Sequence, residues 1–517
     1  MATTKPLSLS LRPTVTSAPA VYTNGAATDS TKNGSAVGNG YSAPAPENTS
    51  KRQKTKPKDD LTHTFLTEPP DDDGNAKCAY AMFGDKFLYC EALGWQVWTG
   101  THWKPDPADA AIDRAIMQLL RDRRLAAVHA DKEHIVKATQ GTLRRVRDTR
   151  GVFRSMVDAT AESFDNSPDM LNCANGVLNL RTGELTPHSP TQRFTYCLPV
   201  EYDPTADDSE WRKFLEANVE GGEEIQEYLQ MAVGYSITGH TNEECLWYIH
   251  GPSRSGKGIF TEVMLALLGS PLGIEVDFAT FTSKREGDTQ NFDLAPLKPT
   301  RLVVTSESNK YETLNAGKIK QLTGGNYIRA ALKHRDLFTY RPQFKPWLVS
   351  NLPVNADVDD DALWYRVKVL EFPNSHIGAE DKTLKVRMRS KDNLRGVLKW
   401  AVEGAMKWYA APNGLVPPPC VSLSTQKHRD EIDYVGMWLE ECTTVDEKWW
   451  TSNDSAYQSY KHWCIKSGVS PKQLRGFLRA LRNKALQTDA PKTIEKKTHK
   501  GILGRRIDSE ALAPMDG

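Results

Sequence analysis

The spacing of apolar positions predicts both helices and strands in the first part of the chain. Between 108 and 128 apolar residues recur at intervals of three and four, which predicts a helix. The segments 93–106 and 170–190 are instead interrupted by turn residues, including an Asn-Gly pair, and predict antiparallel strands. The expected packing residues are Ile112, Ile116, Leu119 and Leu120 on the helix and Trp95, Trp98 and Trp103 on the first strands.

The middle of the chain alternates short apolar runs with helical segments. One long helical pattern covers 211–239, and a second helix is predicted from 259 to 269. Apolar runs at 245–250, within 301–310 and within 344–353 predict buried strands. Strands that alternate with helices in this way are typical of an α/β domain with a parallel sheet.

Composition separates the first sixty residues from the rest. Residues 1–60 are rich in Ser, Thr, Ala, Asn, Gly and Pro, so we expect a disordered tail. No apolar run reaches the ~18 residues of a membrane helix, and no apolar secretion signal begins the chain. The eight cysteines are scattered without a C-x-x-C pair, so no structural zinc is expected. These features favour the cytoplasm of a bacterial or virus-infected host cell and leave the nucleus open.

The segment GPSRSGKG at 251–258 carries the strongest chemical signal. It lies between a predicted strand and a predicted helix, which is the context that a phosphate-binding loop requires. Glycines let successive N–H groups point at phosphates, and the helix N-terminus adds a positive partial charge. The residues expected to bind ATP are Gly251, Pro252, Ser253, Arg254, Ser255, Gly256, Lys257, Gly258 and Ile259.

Gly258 departs from the usual loop pattern, in which Ser or Thr follows the lysine and supplies a hydroxyl to Mg²⁺. Adenylate-kinase-like enzymes and some viral and plasmid helicases share the Gly-Lys-Gly form, so the loop alone leaves both classes open. We expect water to occupy the missing ligand position.

Three polar residues lie beside the other predicted strands. Glu307 ends the strand within 301–310, which we expect to neighbour the phosphate-loop strand, and its carboxylate could hold Mg²⁺ and activate water. Asn351 ends the strand within 344–353 and could orient that water, and Arg366 precedes a further strand. Strand ends of this kind predict a nucleotide site along one edge of the sheet.

These residues, together with KIKQLTGGNYIRA, VSN and WYR, resemble the motifs of superfamily 3 helicases, which are AAA+-type hexameric motors. Within that superfamily the closer resemblance is to the helicase portion of phage, plasmid and poxvirus primase–helicases. The segment DMLNCANGVLNLRTGELTPHSP is similar to the domain that precedes the motor in that group. The resemblance implies an α/β fold: a P-loop AAA+ type ATPase core, an α+β N-terminal domain and a C-terminal winged-helix-like domain.

The resemblance also implies a role for each of four residues. Lys257 matches the phosphate-loop lysine, Glu307 the acid that prepares water and metal, and Asn351 the sensor of the γ-phosphate. Arg366 matches an arginine finger that acts on ATP bound by a neighbouring subunit. Because Ser306 stands where many relatives have a second acid, Mg²⁺ would rest on Glu307 and the phosphates. ATP and Mg²⁺ are the expected cofactors, and a homo-oligomer, a hexamer, is the expected assembly.

Two basic regions are candidates for binding DNA. One is a predicted β-hairpin whose tip, Lys333-His334, resembles the pore hairpin of papillomavirus initiator helicases. The other is the helix at 470–486, with apolar and basic faces, followed by a basic hairpin at 493–506, which is typical of a winged helix. The candidate DNA-binding residues are Lys320, Arg329, Lys333, His334, Arg475, Arg479 and Arg482, and the expected apolar face is Leu474, Phe477, Leu478 and Leu481.

The expected organisation is a disordered tail, an N-terminal domain, an ATPase domain, a helical connection and a winged-helix-like domain. Their expected ranges are 1–60, 61–204, 205–375, 376–419 and 420–510. We expect an ATP-dependent helicase of phage- or plasmid-type replication that acts on single-stranded and forked DNA. No paired-aspartate primase centre is evident, so a separate primase or polymerase is a candidate partner, and no membrane partner is expected. Two alternatives are a P-loop small-molecule phosphotransferase and an ATP-dependent DNA-binding initiator or switch that does not unwind DNA.

Overall fold

The computed structural model describes residues 58–282, 292–306, 313–331, 337–495 and 497–508. The expected disordered tail therefore lies almost entirely outside the described residues, as do Glu307, Lys333 and His334. Within the described ranges no helix combines the length and the apolar character needed to cross a bilayer.

The N-terminal part combines helices with two small antiparallel sheets, ordered β1-β2-β3 and β4-β5-β6. The predicted helix at 108–128 and both predicted strand groups are present, and the helix buries all four apolar residues expected of it. The elements are α1 (Lys58–Thr67), α2 (Asp72–Phe83), β1 (Phe87–Cys90), β2 (Gly94–Trp98), β3 (Trp103–Pro105), α3 (Ala110–His129), α4 (Glu133–Ala138), α5 (Leu143–Met156), β4 (Met170–Cys173), β5 (Gly176–Asn179) and β6 (Leu185–Thr186).

The central part is built on a parallel five-stranded sheet with the order β13-β7-β12-β9-β8. Its elements are α6 (Ser209–Asn218), α7 (Gly222–Ile237), β7 (Leu246–His250), α8 (Lys257–Leu268), β8 (Gly273–Glu275), β9 (Leu302–Ser306), α9 (Ala316–Thr323), β10 (Ile328–Ala331), β11 (Leu337–Tyr340), β12 (Lys345–Ser350), α10 (Asp361–Trp364), β13 (Val367–Glu371), α11 (Leu384–Met388), α12 (Lys391–Ala410) and α13 (Pro419–Glu431).

Both faces of this sheet are buried, which explains why its strands are continuous apolar runs. On β7, Trp247 and Ile249 pack into a core formed with α6, α7, α8 and α12. Leu246 and Tyr248 point to the opposite face and pack into a second core that includes residues of α9 and of the β10–β11 hairpin. The residues that follow the strand ends are therefore positioned by a sheet that is packed on both faces.

The long helical pattern at 211–239 is wrong as a single helix. The chain forms α6 and α7, which are separated at Val219–Gly221. Gly221 has a φ of +126°, a conformation that glycine adopts without the penalty that other residues incur. The break turns α7 back against the sheet, where it packs on α12.

Arg301, immediately before β9, attaches the N-terminal part to the sheet. Its side chain is buried, and its guanidinium donates to backbone carbonyls at 3.1 to 3.3 Å. Three of these carbonyls lie in Ser167–Met170, and the fourth is that of Ile237 at the end of α7. One buried cation thus joins β9, α7 and the N-terminal part through four hydrogen bonds to backbone carbonyls.

The C-terminal part has three helices and an antiparallel sheet ordered β14-β16-β15. Its core begins at Val435, whereas α13 packs on β13, with Val369 N donating to Thr425 Oγ1 at 3.0 Å. The expected boundary at 420 therefore falls within a helix that belongs to the central sheet. The elements are α14 (Tyr434–Cys442), β14 (Thr443–Ser452), α15 (Asn453–Lys466), α16 (Leu474–Asn483), β15 (Ala490–Ile494) and β16 (Lys497–Ile507).

Candidate nucleotide site and nucleic-acid interface

The loop between β7 and α8 depends on two of its three glycines. Gly251 has a φ of +152°, and a Cβ there would lie 2.1 Å from the carbonyl oxygen of Phe372. Gly256 has a φ of +87°, and a Cβ there would lie 2.4 Å from Asn218 Oδ1. A Cβ on Gly258, in contrast, would meet nothing within 4 Å. Gly258, which replaces the usual Ser or Thr, is thus the one glycine of the three at which the surrounding structure would accept a side chain.

Lys257 begins α8 and folds back across the loop. Its ammonium donates to the carbonyl oxygens of Gly251 at 2.8 Å and Pro252 at 2.6 Å, and to Ser255 Oγ at 3.1 Å. Burial lowers its pKa from 10.5 to about 8, and these partners are all uncharged. A buried ammonium with only neutral oxygens around it, at a helix N-terminus, fits the binding of an anion such as a triphosphate.

The strands β7, β12 and β9 are parallel, so their carboxyl ends lie at one edge of the sheet, and each is followed by a candidate site residue. Ser350, the last residue of β12, is in register with His250, the last residue of β7. Asn351 follows Ser350, is exposed, and its backbone interacts with the His250 imidazole. Asn351 therefore follows the strand end that lies beside the start of the candidate phosphate loop.

The strand that precedes Glu307 is not the neighbour of the phosphate-loop strand, contrary to the sequence-based expectation. β12 lies between β7 and β9, so that Asn351 is closer in strand order to the loop than the acid is. Glu307 itself lies outside the described residues, and only the preceding Ser306 can be placed, in register with Val349. Among the described residues, no group of three or more His, Cys, Asp and Glu side chains could hold a metal ion.

Two residues that the sequence analysis missed contact the phosphate loop. The Asn218 amide donates to Phe214 O at 2.7 Å, which fixes its orientation and leaves Oδ1 to accept from His376 Nε2 at 2.9 Å. The backbone of His376 then donates to Arg254 O at 3.0 Å. The only available signal was the position of His376 just after β13, a strand beside the loop strand.

Arg366 lies at the opposite edge of the sheet from Lys257. Its carbonyl accepts from the N–H of Leu246, the first residue of β7, whereas the phosphate loop follows the last residue. One strand of this length spans about 16 Å at ~3.3 Å per residue. The Arg366 side chain is 15 % exposed, and its guanidinium donates to Ala362 O at 2.8 Å and forms an ion pair with Glu244. Arg366 is thus too far from its own phosphate loop to contact it.

An acidic segment, Asp357–Asp361, forms ion pairs with Lys and Arg side chains from α9, from α13 and from the C-terminal part. Asp360 accepts two bonds of 2.7 Å from Lys320, and these lower the pKa of its carboxyl although burial opposes the shift. Asp361 pairs with Arg429 of α13 at 2.6 Å. Asp357 pairs with Arg479 at 2.5 Å and with Lys472 at 3.4 Å. Two of the candidate DNA-binding residues, Lys320 and Arg479, are therefore engaged by carboxylates of the same chain.

The helix α16 presents a basic face to solvent. Arg475, Arg479 and Arg482 are all exposed, and the basic hairpin expected after this helix corresponds to β15 and β16. The expected apolar face is wrong at one position, because Leu474 is 43 % exposed at the first residue of the helix. Its buried residues are Phe477, Ala480 and Leu481, with Leu478 packed against the core.

Two family models match separate parts of the chain. Residues 76–219 match a family described as "D5 N terminal like", and residues 249–366 match a family of unknown function (DUF5906). The first match covers most of the N-terminal part together with α6. The second begins at the end of β7 and ends at Arg366, so it contains the phosphate loop and both sheet edges described above.

Two viral proteins are similar to this chain at low identity. "Putative helicase L207/L206" of Acanthamoeba polyphaga mimivirus is 25 % identical over 344 residues, which cover 60 % of this chain and 35 % of that protein. "Putative helicase 022R" of Frog virus 3 (isolate Goorha) is 26 % identical over 258 residues, 46 % of this chain and 26 % of that protein. The matched region therefore spans about a third of these relatives or less.

A solved structure is also similar, the apo structure of the NrS-1 C-terminal region. It covers 81 % of this chain and 95 % of that one, with 10 % identity and a TM-score of 0.44. That score is too low to establish a common fold. The comparisons thus relate the chain to viral proteins named as putative helicases, and they relate its N-terminal part to the family described as "D5 N terminal like".

Proposed function

We propose that this chain is an ATP-driven DNA helicase of the superfamily 3 type, working as a ring, a hexamer, in viral, phage or plasmid replication. The observation that carries the proposal is that Lys257 and Arg366 lie at opposite edges of one parallel sheet. When copies of a chain pack head to tail, one copy's far edge meets the next copy's near edge, and such contacts close into rings. Arg366 of one copy then completes the nucleotide site of its neighbour.

Each residue of the site has a role in this reaction. Lys257 and the N-terminus of α8 hold the phosphates, and Asn351 orients the attacking water beside them. Glu307 accepts the proton of that water and binds Mg²⁺, which supplies charge neutralisation when bound. Arg366 leaves Glu244 to meet the charge that develops on the transferred phosphoryl group, a contribution of ~10³–10⁵ in rate in related reactions.

DNA would be held by the basic surface of two regions. The exposed arginines of α16 and the β15–β16 hairpin suit a duplex or fork, because a helix enters a groove while a hairpin contacts phosphates. Lys320, Arg329 and the hairpin tip at Lys333 and His334 would follow a single strand in the ring. The order of elements supports the winged-helix assignment, because α16 lies between α15 and the β15–β16 hairpin along the chain.

Mixing two inactive variants tests the shared site. Lys257→Ala should not bind ATP, and Arg366→Ala should bind ATP but lose at least ~10³-fold in hydrolysis. In mixed rings, some boundaries join an intact phosphate loop from Arg366→Ala to an intact arginine from Lys257→Ala. DNA-stimulated ATP hydrolysis should therefore reappear on mixing, measured as phosphate release. If the mixture stays inactive while both variants assemble, Arg366 does not act between subunits.

Unwinding of a forked substrate separates the alternatives. A helicase separates the strands in an ATP-dependent manner, whereas an initiator or switch binds the fork and leaves it paired. A small-molecule phosphotransferase would phosphorylate an acceptor such as AMP and show no response to DNA.

A further inference from the structure

The hairpin β10–β11 has one face that is fixed in the core. Its inward side chains reach the same cluster as the sheet, and the Tyr340 hydroxyl donates to Leu294 O at 2.5 Å. The inward residues are Ile328, Ala330, Phe338 and Tyr340. Because side chains alternate along a strand, the remaining residues are held on the opposite face with little freedom to turn inward.

That opposite face combines an aromatic ring with two guanidinium groups. Ile328 pairs with Tyr340, so the flanking residues Tyr327 and Arg341 come together at the base of the hairpin. Arg329 lies two residues from Tyr327 and on the same face. Tyr327 is 72 % exposed, and both arginines are exposed. We call Tyr327, Arg329 and Arg341 the hairpin platform.

The base of the platform is rigid. Gly325 has a φ of +66°, and a Cβ there would lie 2.9 Å from Arg341 Nη2, so the guanidinium packs directly on the turn before Tyr327. The stretches 313–331 and 337–345 contain no Asp or Glu. The described strands of the hairpin therefore carry no carboxylate that could neutralise the positive charge of the platform.

We infer that the hairpin platform binds single-stranded nucleic acid, with a base stacked on Tyr327 and backbone phosphates on Arg329 and Arg341. An exposed aromatic ring beside cations fits this ligand, because each base has a face that stacks and each nucleotide carries a charge. In a duplex the bases already stack on one another and cannot reach a flat protein surface. The inference rests on the proposed function, since it names where the same motor would hold its strand.

The test uses the full chain and a fluorescently labelled oligothymidylate, with binding followed by anisotropy. Tyr327→Ala should weaken binding about 10-fold or more, in line with the loss of one stacked base. Tyr327→Phe should bind like the parent chain, because stacking uses the ring and not the hydroxyl. Tyr80→Ala is the matched control, since Tyr80 is 53 % exposed on α2 and lies outside the platform.

Arg341→Gln gives an independent measurement. The dependence of log affinity on log salt should become shallower by about 0.7, the value for one phosphate contact on a single strand. The thermal midpoint of each variant is measured alongside, so that a folding defect is recognised and the Tyr327→Phe and Arg341→Gln results decide.

The outcomes separate this inference from the proposed function. If the parent chain binds no oligonucleotide under any nucleotide condition, the proposed function fails. If the parent binds and Tyr327→Ala binds equally well, the platform is wrong while the motor stands. If Tyr327→Ala changes only the sedimentation behaviour, the platform is a contact between copies and the inference is overturned.

Discussion

Lys257 is the residue whose chemistry the fold changes most clearly. Its folded pKa of about 8 lies below the ordinary 10.5, so burial penalises the charged form. That penalty is present at neutral pH and is relieved as pH rises through the folded pKa towards the ordinary one. A bound triphosphate would act in the opposite direction, because a negative charge stabilises the ammonium.

Nucleotide binding should therefore take up a proton in mildly alkaline solution. At about pH 8.5 much of the Lys257 population is neutral before binding and charged after it, whereas at about pH 6.5 it is charged in both states. Calorimetric titration in two buffers of different ionisation enthalpy measures the uptake. Equal proton uptake at both pH values would contradict the role given to Lys257.

The glycines of the loop should respond very differently to the same added methyl group. Gly256→Ala combines a positive φ, which costs about 1–2 kcal/mol, with a clash against Asn218, so it should lower the thermal midpoint and abolish ATP binding. Gly258→Ala meets open space in a helix and should be neutral or stabilising by up to about 1 kcal/mol. A severe loss of stability in Gly258→Ala would show that the site is tighter than the structure indicates.

At the residue scale, only features that are specified by a short stretch of consecutive residues could be predicted from the sequence. The placement of Gly251, Gly256 and Lys257 between a strand and a helix was predictable because the glycine-rich pattern is local and spans eight consecutive residues. Asn218 and His376 were not, because 158 positions separate them and only the folded chain brings them to 2.9 Å. The pairing of Arg366 with Glu244 was missed for the same reason.

At the scale of elements, periodicity predicted the strands and the helix α3, since each is specified by its own residues. It failed at 211–239, where the helical pattern continues but α6 ends at Asn218 and the glycine pair Gly221–Gly222 begins a separate helix, α7. It also could not give the position of β12 between β7 and β9, because strand order depends on crossovers and not on local spacing. The exposure of Leu474 shows the same limit at a helix end, where the core no longer covers the apolar face.

The attachment of the N-terminal part through Arg301 gives a prediction at this scale. Arg301→Met removes four hydrogen bonds that a buried cation donates to backbone carbonyls, and should lower the free energy of unfolding by about 3 kcal/mol or more. Arg389→Met, at an exposed position, should change it by less than about 0.5 kcal/mol. Urea denaturation of the two variants measures the difference, and equal midpoints would show that the attachment contributes little.

At the scale of the whole molecule, the acidic segment links the central sheet to the C-terminal part. It follows Asn351 by a few residues and holds Lys472 and Arg479 through Asp357. The Asp357 carboxylate therefore forms an ion pair with Arg479 on α16, the helix that the proposed function assigns to DNA binding. Phosphates of a bound duplex would compete with it for the same guanidinium.

Removing that competitor should strengthen DNA binding. Asp357→Asn is expected to raise the affinity for duplex DNA and to steepen its salt dependence by about one unit for each cation released. Asp454→Asn, which makes the same charge change at an exposed position of the C-terminal part, is the control. Anisotropy titrations over a range of salt concentrations measure both, and identical curves for the two variants would contradict the competition.

Asp357 also has a consequence for natural variation. Without its carboxylate, Lys472 and Arg479 would be like charges around a shared position, without the negative charge that now pairs with both. A lineage that lost the acid at 357 would gain by losing one of the two bases as well. Positions 357, 472 and 479 should therefore covary, a pattern that an alignment of many relatives would reveal without any measurement on the protein itself.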